Sequence, residues 1–266
     1  MQIGANGLFF EIEDEGSEKS PVVFLIAGFG QQLTAWPAYF LQPLRAAGFR
    51  VIRMDNRDMG LSVHLDALGA PNLAWLLMQQ KMGRPAPPPY TLQDMAQDSL
   101  AVLDALSIER AHVLGMSMGG MIAQRMALTA PRRLFSLTSI MSSSGAKNLP
   151  LGNPVLPATE SLLNGQSLAD AQRSFYPIGL LRQLAAVMCD TDRAEALSRI
   201  TAPTLVVHGT EDPLLPLACG QDTQRRIVGA QLLTVAGMGH ELTEGLMPQV
   251  MPRLLAHLQG NSPAQG

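Results

Sequence analysis

The stretch Gly115-Met116-Ser117-Met118-Gly119-Gly120 decides how this chain is read. Before it, Arg110-Ala111-His112-Val113-Leu114 is a short, largely apolar run of the kind that forms a buried strand. After it, Met121, Ile122, Met126 and Leu128 recur among small and polar residues, the spacing of a helix that ends near Pro131. Ser117 therefore falls on the turn between a strand and a helix. So tight a turn strains the backbone at the serine, and side chains at the glycine positions would collide with neighbouring elements. The helix start also presents free backbone N–H groups, which favour negative charge developing beside Ser117.

Composition sets the bounds. The chain has 266 residues, 47% hydrophobic and 15% charged, enough for one large core plus an insertion. A net charge of −3 gives no basic surplus, so neither nucleic acid nor an anionic membrane is expected as a partner. Met1-Gln2-Ile3-Gly4-Ala5-Asn6 lacks the basic and long apolar regions of a signal peptide. The apolar run from Val22 to Ala27 is far too short to cross a bilayer. Cys189 and Cys219 are the only cysteines; with no disulfide framework or metal-site spacing, they read as reduced thiols in a soluble cytoplasmic protein.

Outward from the serine turn, the chain alternates strand and helix. Leu8 to Ile12 reads as a first strand, and Val22-Val23-Phe24-Leu25-Ile26 as one buried on both faces. The latter runs into Ala27-Gly28-Phe29-Gly30-Gln31-Gln32. Its Gly-x-Gly lacks the third glycine of a dinucleotide fingerprint, because position 33 is Leu33. The loop is better read as turning backbone N–H groups toward Ser117, with Phe29 and Met118 N–H as a pair of oxyanion donors. A helix from about Thr34 to Ala47 leads to the strand Phe49 to Met54, and Asp55, Arg57 and Asp58 then read as an ion-pair cluster bracing a loop.

Leu73 to Met78 suggests a short helix, and the proline-rich run Arg84 to Pro89 suits neither helix nor central strand. This stretch is expected as a surface excursion over the mouth of the site. Thr91-Leu92-Gln93-Asp94 resembles a capping box ahead of a stripe of Leu92, Met95, Leu100, Leu103 and Leu106. Alternation of this kind predicts a mostly parallel sheet covered on both faces. It breaks after the strand Leu134 to Ile140. Residues 142–200 are first Pro/Gly-punctuated and then helical around Leu180 to Met188 and Arg193 to Ile200, which reads as an inserted cap. The core is then 1–141 and 201–262.

The sheet resumes at Thr204 to His208, followed by Gly209-Thr210-Glu211-Asp212-Pro213, and a later strand, Leu232 to Val235, by Ala236-Gly237-Met238-Gly239-His240. Ser117, Asp212 and His240 thus each lie just past a predicted strand, where ligands gather in open α/β sheets. Their separations are 95 (212 − 117) and 28 (240 − 212) residues. A serine hydroxyl needs a base during attack, and an imidazole can take that proton and return it to a leaving alcohol. The acid would hold the imidazole tautomer and stabilise its cation. Among rivals, His208 reads as a packed strand-end residue and His112 enters its strand from the wrong end. His64 is a candidate for the mouth, and His257 belongs to the C-terminal helix. Glu211 suits a fixed turn less well than Asp212 before Pro213. Met116 and Met238 are candidates to touch substrate, whereas Met121 reads as core.

On these residues the chain resembles the α/β-hydrolases over nearly its whole length. Within them it is most similar to the RdmC-like methylesterase and carboxylesterase group, through Asp55-Asn56-Arg57-Asp58-Met59-Gly60-Leu61-Ser62, the Ser117 turn and Leu137-Thr138-Ser139-Ile140-Met141-Ser142. The resemblance implies an eight-stranded sheet with a helical cap. It also implies a nucleophile elbow at Ser117, order Ser…Asp…His, and serine carboxylesterase activity on a small-molecule ester, with no cofactor and no metal. It sets aside dehalogenase and epoxide hydrolase chemistry, which place an aspartate at the elbow in this superfamily. Two departures stand out. Ala27-Gly28 replaces the His-Gly common before the oxyanion residue, and the segment between Ile140 and Thr204 is short for this group's cap, implying a more open site. A thioesterase, lactonase, C–C hydrolase or perhydrolase would use the same residues. A ligand-binding protein on this scaffold would need no working triad.

Overall fold

The computed structural model describes residues 1–150, 152 and 172–263. Its centre is one eight-stranded sheet, built from β1 (Gln2–Ala5), β2 (Leu8–Glu15), β3 (Val22–Ile26), β4 (Arg50–Met54), β5 (Ala111–Met116), β6 (Leu134–Ile140), β7 (Thr204–Gly209) and β8 (Gln231–Val235). The spatial order is β1-β2-β4-β3-β5-β6-β7-β8. The β1–β2 and β2–β4 pairs are antiparallel and every other pair is parallel. The helices are α1 (Ala38–Ala46), α2 (Leu73–Lys81), α3 (Leu92–Ala105), α4 (Met118–Thr129), α5 (Pro177–Met188), α6 (Arg193–Ala196), α7 (Leu217–Arg226) and α8 (Met247–Gly260).

The unbroken apolar character of β3 follows from burial on both faces. Phe24 and Ile26 join a cluster with Leu92 and Leu103 of α3 and Ile122 and Met126 of α4. Val23 and Leu25 join the opposite cluster with Phe40 and Leu44 of α1 and Val250, Leu254 and Leu258 of α8. Successive strand residues point to opposite faces, so a strand covered twice has no polar side. Fully burying each such aliphatic side chain contributes about 1.5–3 kcal/mol.

Several boundaries differ from the sequence reading for local reasons. The expected helix from Thr34 to Ala47 is interrupted: a 3₁₀ turn covers Leu33–Ala35, and α1 starts only at Ala38. Pro37 lies between them and holds Trp36 extended, at φ −84° and ψ 108°. β1 was not anticipated, yet Asn6-Gly7 marks it. Both residues have positive φ (51° and 70°), as a two-residue hairpin turn demands, and β1 pairs with β2 across them. β2 runs three residues past Ile12 because Glu13, Asp14 and Glu15 find partners in Arg53, Arg50 and Arg45. The expected helix from Arg193 to Ile200 splits into α6 and a 3₁₀ turn, Leu197–Arg199.

The Thr91–Asp94 capping box forms in both directions, with Asp94 N–H donating to Thr91 Oγ1 at 3.1 Å and Thr91 N–H to Asp94 Oδ2 at 2.7 Å. Of the expected insertion, 142–200, residues 151 and 153–171 lie outside the described residues. The loop after β4 is tied to the chain beyond this stretch. Arg182 of α5 makes a two-pronged, fully buried pair with Asp58, at 2.8 Å on each prong, and Arg173 reaches Asp55 at 2.7 Å. Arg57 pairs with Asp98 of α3 at 2.5 and 2.7 Å. The cluster read as a loop brace has this arrangement.

Candidate active site

β3, β5, β7 and β8 run parallel, so the segments leaving their carboxyl ends share one edge of the sheet. Ala27-Gly28-Phe29 follows β3, Ser117 follows β5, Asp212 lies beyond β7 and His240 beyond β8. Ile26 is in register with Gly115, which sets the Phe29 loop beside the serine turn.

The turn at Ser117 is as strained as its sequence predicts. Ser117 has φ 52° and ψ −121°, a region that disfavours any residue with a Cβ. Its N–H donates to Ile140 O at 2.9 Å, and its carbonyl accepts from Ser142 Oγ at 2.7 Å, so β6 and the segment after it hold the turn from one side. The glycines allow α4 to pack there. A Cβ at Gly119 would lie 2.1 Å from Ile26 O, and one at Gly115 would lie 2.1 Å from Gly119 O.

Asp212 and His240 converge on the serine. His240 Nδ1 lies 2.8 Å from Asp212 Oδ2, and His240 Nε2 lies 2.9 Å from Ser117 Oγ. A carboxylate only accepts, so Nδ1–H donates to Asp212 and leaves the Nε2 lone pair facing the hydroxyl. The other carboxylate oxygen accepts from Leu214 and Leu215 N–H, at 2.9 and 2.8 Å. This turn fixes the acid, whose side chain is fully buried, whereas His240 stays 16% exposed.

The oxyanion candidates sit on either side. Met118 begins α4, and its N–H precedes any intrahelical partner. Among the described residues, neither the Met118 nor the Phe29 N–H has a hydrogen-bond acceptor. A Cβ at Gly28 would lie 3.2 Å from Ser117 Cβ, so the Phe29 loop abuts the serine. With Ala27 in place of a bracing histidine, other side chains hold this loop. Gly28 N–H donates to Gln31 Oε1 at 2.9 Å, and Gly30 N–H to Gln183 Oε1 at 3.0 Å. Asn56 Nδ2 donates to Ala27 O at 3.2 Å, and Leu33 N–H to Asp55 Oδ1 at 2.7 Å. None of Gln31, Asn56 and Gln183 carries a local sequence signal for this role.

The other histidines lie elsewhere. His208 Nε2 donates to Leu215 O at 2.7 Å and sits 3.6 Å from Asp212 Oδ2. Burial pushes its imidazole below the ordinary range, so it supports the acid's turn as a neutral ring. His112 is within hydrogen-bond distance of Ser136 and Ser262, and His64 stacks on Tyr176. His257 is on α8. Glu211 is solvent-exposed. Met116 and Met238 are buried in the apolar cluster on the α1/α8 face, where their side chains pack as core. Met121 packs in the opposite cluster with Met118.

The sequence profile of the Alpha/beta hydrolase family matches residues 22–258. The chain belongs to this family. As an alpha/beta hydrolase it is 28% identical to the rhodomycin D methylesterase DauP of a Streptomyces species, over 92% of this chain and 93% of that one. It is 27% identical to the putative carbamate hydrolase RutD of Yersinia enterocolitica, over 94% and 92%. Among solved structures, a hydrolase from Pseudomonas aeruginosa superposes with a TM-score of 0.69 at 25% identity, covering 98% of this chain and 97% of that one. No helix among the described residues is long and apolar enough to cross a membrane.

Proposed function

We propose that this alpha/beta hydrolase is a serine carboxylesterase that cleaves small-molecule carboxylic esters through an acyl-enzyme. The observation that carries the reading is His240 bridging Asp212 and Ser117, at 2.8 and 2.9 Å, with its tautomer set by the acid. Ser117 Oγ attacks the ester carbonyl carbon while His240 Nε2 takes the hydroxyl proton. The carbonyl oxygen becomes an oxyanion between Phe29 and Met118 N–H, each donor worth about 3 kcal/mol of transition-state stabilisation. The C–O bond to the alcohol breaks as His240 returns the proton to the leaving oxygen. Water, deprotonated by the same imidazole, then attacks the acyl-serine, and the acid and free Ser117 are released. Asp212 stabilises the imidazolium at each stage without taking the proton.

Similarity to a methylesterase and a carbamate hydrolase supports cleavage at an acyl carbon bearing a heteroatom leaving group. Residues 142–200 are proposed as a helical cap on a core of 1–141 and 201–262, joined to it through the Arg182–Asp58 and Arg173–Asp55 pairs. Two free thiols, Cys189 and Cys219, fit a reducing cytoplasmic setting.

The test is hydrolysis of p-nitrophenyl esters from acetate to palmitate by the wild type and by Ser117→Ala. Activity in the former and its loss in the latter is expected, with the chain-length profile sizing the acyl pocket. Thioesters and lactones assayed in parallel separate the acyl-transfer alternatives. A wild type that turns over none of them and is not labelled by a fluorophosphonate overturns the reading in favour of a binding role.

A further inference from the structure

The loop that carries the Phe29 N–H is held from a helix far along the chain. Gln183, on α5, is fully buried, and both ends of its amide are used. Its Oε1 accepts from Gly30 N–H at 3.0 Å, and its Nε2 donates to Arg57 O at 3.2 Å. Neither anchor is loose. Arg57 is fixed by its two-pronged pair with Asp98, and the neighbouring Arg182 pins α5 through Asp58.

The geometry points to Gln183 as a positioning residue for ester hydrolysis, one that aims the Phe29 N–H at the developing oxyanion from the α5 helix. The inference rests on the carboxylesterase reading above. The Phe29 N–H belongs to the Gly28–Phe29 peptide unit, and the units before and after it are each held by a side-chain amide oxygen. Gly28 N–H is bound by Gln31 and Gly30 N–H by Gln183. Fixing the Phe29–Gly30 peptide plane limits rotation about the bonds that flank Phe29. Gly30 itself, at φ 69°, imposes little restraint of its own. An oxyanion donor acts by pre-set aim, so a small error in direction weakens the transition state while leaving ground-state binding nearly unchanged. The arrangement also makes the oxyanion loop sensitive to the seating of α5, because the Gln183 side chain joins them.

The test compares the wild type with Gln183→Leu, Gln183→Ala and Gln183→Glu on the best p-nitrophenyl ester. Active sites are counted by fluorophosphonate titration. Binding of a trifluoromethyl ketone of the same acyl chain, which forms an oxyanion adduct with the serine, is measured alongside. In Gln183→Leu, kcat per active site should fall about 10- to 100-fold with KM within about threefold, and ketone affinity should fall in parallel. Gln183→Glu keeps an acceptor for Gly30 N–H and, with its buried carboxyl protonated, a donor for Arg57 O, and should recover to within about fivefold of wild type. Should the leucine variant not fold, Gln183→Ala is judged by the same criteria.

A purely structural role would lower thermal stability and the number of active sites but leave kcat per site and ketone affinity unchanged. That result overturns the inference. So does a rise in KM at constant kcat, or a Gln183→Glu variant no better than leucine. A wild type that neither hydrolyses the esters nor binds the ketone defeats the esterase reading itself, and is distinguished because it appears before any variant is made.

Discussion

His240 Nε2 lies 2.9 Å from Ser117 Oγ, across 123 residues of chain. Ser117 pays for this placement with a backbone at φ 52° and ψ −121°. Residues with a Cβ held in such regions are strained by about 1–3 kcal/mol.

Replacing Ser117 with glycine should therefore raise stability while abolishing activity. Glycine removes the Cβ strain but adds about 0.5–1 kcal/mol of unfolded-state entropy. The net gain is about 1 kcal/mol, or roughly 2–4 °C in Tm. Calorimetry of Ser117→Gly beside Ser117→Ala checks it, since alanine keeps the Cβ. A glycine variant that melts below the alanine one would show that the turn is not strained.

Asp212 and Glu211 are adjacent acids in the sequence, and the structure separates them by environment. Asp212 faces His240 and is buried, whereas Glu211 is exposed. In Asp212→Asn the amide offers an N–H to Nδ1, so the ring proton moves to Nε2 and the lone pair toward Ser117 is lost. The expected fall in kcat is about 10⁴-fold. Glu211→Gln should stay within about twofold of wild type. Comparable losses in both variants would remove Asp212 from its proposed role.

Strand-to-helix alternation was readable because residues such as Val22 to Ile26 are apolar at every position, and two-sided burial in a sheet accounts for that in so short a run rich in β-branched residues. The placement of Ser117, Asp212 and His240 at one edge of the sheet was likewise marked by the position of each just past a strand. What escaped was set by contacts between distant segments or by turn chemistry. Gln183 resembles any other polar residue on a helix until α5 is packed against the Gly30 peptide. Met238 lies two positions before His240, and its proximity in sequence suggested substrate contact, but its side chain is buried in the α1/α8 cluster. β1 carries no signal beyond Asn6-Gly7, because Gln2 to Ala5 is too short and too exposed to show a periodic pattern.

The buried Arg182–Asp58 pair makes a prediction about coupling. Removing one partner leaves the other's charge in a dry site, at a cost of about 3–5 kcal/mol. Arg182→Met and Asp58→Asn should each be that destabilising, asparagine being chosen because position 58 has φ 64°. The double variant should lose much less than the two added together, since no charge is then stranded. Urea unfolding of the four proteins measures the coupling. Strict additivity would mean that the pair contributes nothing beyond its separate packing.

His112 gives the protein an acid-sensitive core. A residue of β5, it is fully buried against Phe49 and Phe135, within hydrogen-bond distance of Ser136 and Ser262, and burial pushes its imidazole down to about 4 from 6.5. The native state therefore keeps it neutral over a range where the unfolded chain takes up a proton. Because the unfolded state binds more protons, stability falls as the pH drops below about 6.5 and continues to fall to about 4. The full effect across that interval is about 3 kcal/mol at the acid end. His112→Gln keeps hydrogen-bonding groups at the site but has no proton to take up. Its stability is expected to be below wild type at pH 8 and to change less between pH 6.5 and 4, so the two curves converge on acidification. The carboxylates titrate in both proteins, and the difference between the curves isolates the imidazole. Parallel curves would show that His112 is not the group through which acid weakens this core.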